Sequence, residues 1–218
     1  RMENAGSGGQ AFPGRLKAKK QPAPQFKTLS DGLNPARCQD KENPMDYPAL
    51  LAILQQHANP ERAAPMQAYM KHRFTYFGIG KPQLARLCRP FFKDASKQPV
   101  DWDFVRRCWD DSHRELQYAA LEYLKKMQQH LTPQDIPRLQ TLITEKSWWD
   151  SADVLDRIVG DIALRHPEVN TVLLAWSTDD NIWLRRVAID CQLLRKQHTD
   201  TALLETIICN RSEERRVG

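Results

Sequence analysis

Three side chains in this sequence have the types and spacing to hold a positive charge: Trp149, Asp153 and Arg186. The first two lie in the run Lys146-Ser147-Trp148-Trp149-Asp150-Ser151-Ala152-Asp153. Two adjacent tryptophans are costly to leave in water, so at least one is buried or used. Ser147, with Asp150 three residues on, reads as a helix N-terminus. The hydroxyl would accept from a free backbone N–H, and the carboxylate would sit at the positive end of the helix dipole. In a helix that starts there, Trp149 and Asp153 stand one turn apart on one face. An indole face attracts a cation and a carboxylate neutralises it, so the pair suits a cationic ligand. The same spacing also fits a plainer arrangement, with the tryptophan packed in a core and the aspartate solvated.

Other chemistries lack their residues. The six histidines are dispersed with no H-E-x-x-H, so metal-ligand spacing is missing, and neither metal nor cofactor is expected. There is no G-x-S-x-G, no Walker A loop and no G-x-G-x-x-G. Phe77-Gly78-Ile79-Gly80 has the first two glycines only, with no preceding strand. Cys108 and Cys191 read as core residues on helices rather than nucleophiles. The acid/base candidates reduce to carboxylates, and Asp153 is the one placed beside an aromatic.

The elements that position these residues read as helical almost throughout. Apolar spacing predicts helices over 46–57, over 60–73 behind the Asn59-Pro60 cap, and over 82–92, 101–109 and 112–130. Others follow Thr132-Pro133, start at Ser147, follow His166-Pro167, and span 181–196 and 200–210. No segment alternates with period two between hairpin turns, so no sheet is expected. The pattern recurs. Leu116 with Ala120-Leu121 is matched by Leu184 with Ala188-Ile189, 68 residues on and so twice 34. Helix pairs at that period predict an all-α, HEAT-like solenoid with a concave groove. The helices starting near Ser112, Ser147 and Asn181 hold equivalent places and are expected to line the groove. Arg186 then lies one repeat from Asp153, where it could grip a phosphate bidentately or form a surface ion pair of little weight. Trp183 is expected to pack between repeats.

At 218 residues and 41% hydrophobic, the chain can build one sizeable core. Its net charge of +5 is compatible with nucleic acid without requiring it. No apolar run reaches the length of a membrane span and no secretory h-region is present. Five scattered cysteines fit a reducing compartment, so a cytoplasmic monomer with no membrane partner is expected. Residues 1–44 are rich in Gly, Pro, Gln and Lys, without periodicity, and read as a disordered or non-native tail ahead of Met45. The solenoid is expected over 45–210, followed by a charged tail over 211–218. Because nothing follows Leu203, Leu204, Ile207 and Ile208 to cover them, the array reads as cut short.

Taken together, the residues resemble the AlkD family of bacterial DNA alkylation repair glycosylases. The matching segments are Asn59 to Met66, Tyr69-Met70-Lys71, Phe77-Gly78-Ile79 with Pro82, Ser147 to Asp153, Gly160-Asp161, His166-Pro167-Glu168, and Asp180 to Leu184 with Arg186. The resemblance implies cleavage of the N-glycosidic bond of cationic N3- or N7-alkylated purines in double-stranded DNA, without metal, cofactor or base insertion into a pocket. It implies that Asp153 is the catalytic aspartate, Trp149 the active-site tryptophan, Arg186 a phosphate contact and Tyr69 a tyrosine beside the lesion. Trp148 and Lys71 complete the expected DNA-facing set. The family continues with further helices where Arg211 to Gly218 does not match. The competing expectation is a non-catalytic scaffold that binds DNA or protein through its concave face, a common use of such repeats.

Overall fold

Short polar side chains cap half of the helix starts directly. The computed structural model describes residues 45–212, with backbone only for 211 and 212; the tail expected over 1–44 and the segment 213–218 lie outside them. α1 (Tyr47–Gln56) opens under Asp46, which accepts from the Ala49 N–H at 3.0 Å. α2 (Pro60–Tyr69) opens under Asn59, which accepts from the Arg62 N–H at 3.1 Å, with Pro60 at the first helical position. α3 (Lys81–Phe92) follows Gly80, and α4 (Trp102–Asp110) is capped by Asp101. α5 (Arg114–Lys126) comes next, and α6 (Ile136–Thr144) continues from a 3-10 turn closed by the Thr132–Asp135 capping box. α7 (Trp149–Arg165), α8 (Asn170–Ser177), α9 (Ile182–Asp190) and α10 (Thr201–Ser212) complete the chain. Among the described residues no strand forms, only an isolated bridge between Thr75 and His113. None of these helices is long and apolar enough to cross a membrane.

The packing is that of a two-layer helical repeat. α1, α3, α5, α7 and α9 pack each on the next in one row. α4, α6 and α8 pack behind α5, α7 and α9, and α10 closes on α8 and α9. α5, α7 and α9 start at 114, 149 and 182, which keeps the expected repeat spacing. One continuous core runs from Met45 to Ile207 and includes Cys88, Cys108 and Cys191. α2 stands partly outside it, over a smaller cluster of Ala63, Met70 and Tyr76. On α10, Leu203 and Ile207 are buried while Ile208 is half exposed, so the last helix does cover the array behind it.

α5 ends at Lys126, short of the expected 130, and three other boundaries differ for a local reason. α2 stops at Tyr69 because Lys71 and His72 turn left-handed, at φ 56° and 54°. α9 stops at Asp190 because Leu194 and Lys196 do the same. α7 starts at Trp149, and Ser147 is not its cap. The Ser147 hydroxyl donates backward to the Ile143 carbonyl at 2.6 Å, finishing α6.

Candidate active site

The front of α7 is held by a buried ion pair. Arg114, at 0% exposure, donates to both oxygens of Asp150, Nε to Oδ2 at 3.0 Å and Nη2 to Oδ1 at 2.6 Å. It also reaches the Ser151 hydroxyl and the Lys146 carbonyl, and its plane lies 3.9 Å from the centre of the Phe74 ring. The Tyr118 hydroxyl adds a third donor to Asp150 at 2.6 Å. Burial and then the Asp150 charge push that phenol far above its ordinary range, so it stays a donor. Asp150 stands in the first turn of α7, at the positive end of the helix dipole as expected, and a partner from α5 holds it inside. The residue on each side of it is thereby fixed in direction.

One of those residues is Trp149, 39% exposed, with Tyr69 at 71% standing edge-on to it at 6.1 Å and 82°. Two large rings left in water beside each other form a platform rather than a core. Exposed Lys71 and His72 follow Tyr69 in the left-handed turn, and Arg73 sits 4.3 Å over the Trp148 ring. Trp148 is less exposed than its neighbour. Its ring is half-buried against the α2 cluster, 6.0 Å from Trp183, and its indole nitrogen is enclosed. It packs there and carries Arg73. Arg73 was missed in the sequence, because nothing in Met70 to Phe74 signals a stack on a residue 75 positions away.

Asp153, one turn after Trp149, meets α9. Arg186 Nε donates to its Oδ1 at 2.7 Å, with side-chain exposures of 42% and 37%, and Asp190 stands 3.7 Å from the same nitrogen. Asp156 completes the group, and the three carboxylates approach one another within 4.8 Å. Bonding to Asp153 raises the Arg186 guanidinium above its usual range, and burial raises the Asp190 carboxyl. Burial, reinforced by the charges of Asp153 and Asp190, pushes Asp156 up to about 7.

The structure thus brings Asp153 and Arg186 into contact and sets Trp149 and Tyr69 together on exposed surface, with Lys71 in the turn after Tyr69. The cleft nearest the α7 front, lined by Lys81, Tyr118, Glu122, Asp150 and Val154 among others, has a volume of about 50 Å³. That is far below the ordinary range for a small-molecule pocket, which starts at roughly 300 Å³. A larger hollow of about 550 Å³ lies beside Trp102 and Asp135, among residues flanking α4 and α6.

Residues 50–216 match the family described as DNA alkylation repair enzyme. Among solved structures, a predicted DNA alkylation repair enzyme from Enterococcus faecalis is similar, with a TM-score of 0.64 and 30% identity over 71% of this chain and 74% of that one. No curated protein gives a significant match.

Proposed function

This chain belongs to the DNA alkylation repair enzyme family, and on that premise we propose that it is a DNA glycosylase acting on cationic N3- or N7-alkylated purines. The observation that carries the reading is the half-exposed Asp153 carboxylate, one helical turn from an exposed pair of aromatic rings and bonded to an arginine. An alkylated purine already bears the positive charge that makes it a leaving group. When the C1′–N9 bond breaks, its electrons neutralise the base, so no general acid is needed. The sugar is left as an oxocarbenium-like cation. Asp153 stabilises that charge and orients the water that attacks C1′, as carboxylates do in glycoside hydrolysis. Trp149 and Tyr69 offer ring faces to the cationic nucleotide. Arg186, with Lys71 and Arg73, holds phosphates. Base flipping needs a snug pocket, and the small cleft by α7 argues for chemistry at the surface.

The Asp153–Arg186 contact is compatible with this. An ion pair so exposed contributes about 0–1 kcal/mol, so a DNA phosphate can draw Arg186 away at little cost. The test is base release from duplexes carrying N7-methylguanine, set against duplexes with an uncharged lesion. Release confined to the cationic lesion is expected. Tight DNA binding with no release from either would instead favour the non-catalytic scaffold.

A further inference from the structure

The Asp153, Asp156 and Asp190 cluster holds more negative charge than its one arginine can balance. Asp156 is the member that cannot reach solvent: it is 2% exposed and its Oδ1 has no hydrogen-bond partner. An ionised carboxylate in that state is costly, because burial removes hydration and only the Arg157 backbone N–H is offered in return. Its surroundings do not supply a counter-charge of its own. On α7 it faces Asp153 and Arg157, the latter exposed. From α9 come Arg186, Asp190 and Cys191, and beyond α9 Arg195, which is bonded to the Gly160 carbonyl. Charged groups on the other neighbours are committed elsewhere. On α5, Arg114 is held by Asp150, and Glu115 accepts from the backbone N–H groups of Phe77, Gly78 and Ile79. On α6, Arg138 leans on Asp135.

We propose that Asp156 carries a proton in the working protein and is thereby a positioning residue, leaving Arg186 outward on Asp153 instead of drawing it into the cluster. A neutral Asp156 leaves two acids for one guanidinium. Once it loses its proton, three acids compete, and the buried one pulls hardest because its charge is least screened. Arg186 then turns inward, away from Asp153 and from any phosphate. The upward displacement of this carboxyl to about 7 by burial puts the change near neutral pH. Only the DNA readouts below rest on the function proposed above; the proton itself is read on the free protein.

Two measurements decide it. The first follows Asp side-chain carboxyl carbons by NMR in the free wild-type chain, labelled with ¹³Cγ-aspartate, from pH 4 to 9. One resonance titrating near 7, lost in Asp156→Asn, is expected; all aspartates titrating below pH 5 would overturn the proposal. Thermal denaturation gives the same answer by linkage. A carboxyl with a raised folded pKa stabilises below the ordinary aspartate range and loses that contribution as pH rises to about 7. The wild-type Tm should fall between pH 4.5 and 7, most of that fall vanishing in Asp156→Asn and a smaller part in Asp190→Asn. Overlaid profiles would overturn it. The second measurement is affinity for duplex DNA at fixed salt. From pH 6 to 8.5 the wild type should weaken by up to about fivefold, the worth of one exposed ion pair, and Asp156→Asn should not. A merely structural Asp156 would lower Tm in the variant and leave both pH profiles parallel. If base release fails while the carboxyl titrates as expected, the glycosylase reading falls and the proton on Asp156 stands.

Discussion

Asp153 and Arg186 are joined by a bond that stability hardly needs, which marks the arginine as available. Arg186→Ala should weaken duplex binding and lower the slope of log affinity against log salt by about 1, as loss of one phosphate contact does. Binding titrations from 50 to 200 mM salt check this, and an unchanged slope would remove the contact. The arginine at Asp150 is the opposite case. Both groups are buried, so Arg114→Met leaves a buried carboxylate without its counter-charge and should cost about 3–5 kcal/mol, or roughly 10 °C in Tm, measured by thermal denaturation. Of the residues named from sequence, the i,i+4 spacing was enough to put Trp149 and Asp153 on one helix. The role of Ser147 was misread, and the partner of Asp150 carried no signal, because a capping pattern is local and Arg114 is 36 residues away. Asp156 and Asp190 carried no signal at all; ordinary surface spacing hides a cluster that only packing assembles.

Helices matter here for how closely they approach. A Cβ on Gly160 of α7 would come within 1.9 Å of the Cys191 carbonyl oxygen, just past the end of α9. Any larger residue must push α9 back, and Arg186 with it. Gly160→Ala should therefore destabilise by about 1–3 kcal/mol and also weaken DNA binding, whereas Ala202→Gly on exposed α10 should only destabilise. Paired denaturation and binding curves separate the two. Gly78 is similar at the other end. Its φ of +90° and the Asn59 carbonyl, 2.1 Å from an added Cβ, admit glycine alone, and Glu115 gathers the turn amides of Phe77, Gly78 and Ile79. The capped helix starts were readable because their caps are short-range. The ends of α2 and α9 were not, because left-handed lysine, histidine and leucine leave no mark in composition.

At the scale of the whole array, the 34-residue recurrence carried the architecture. Helix pairs that cannot bury their apolar faces alone must stack, and the row α5, α7, α9 follows from that requirement. Stacking sets Asp153 and Arg186 on neighbouring helices although they are 33 residues apart. It also suits the proposed chemistry at a surface: among the described residues no strand forms to make a sheet crevice or barrel mouth around a base, so on that proposal selectivity comes from charge already on the substrate. The most direct measurement is single-turnover release of N7-methylguanine from duplex DNA, with wild type and Asp153→Asn compared at saturating protein. Loss of release by at least about a hundredfold with DNA affinity within about threefold is the expected result, since the carboxylate acts on charge that develops only as the bond breaks. Release by Asp153→Asn at the wild-type rate would contradict it.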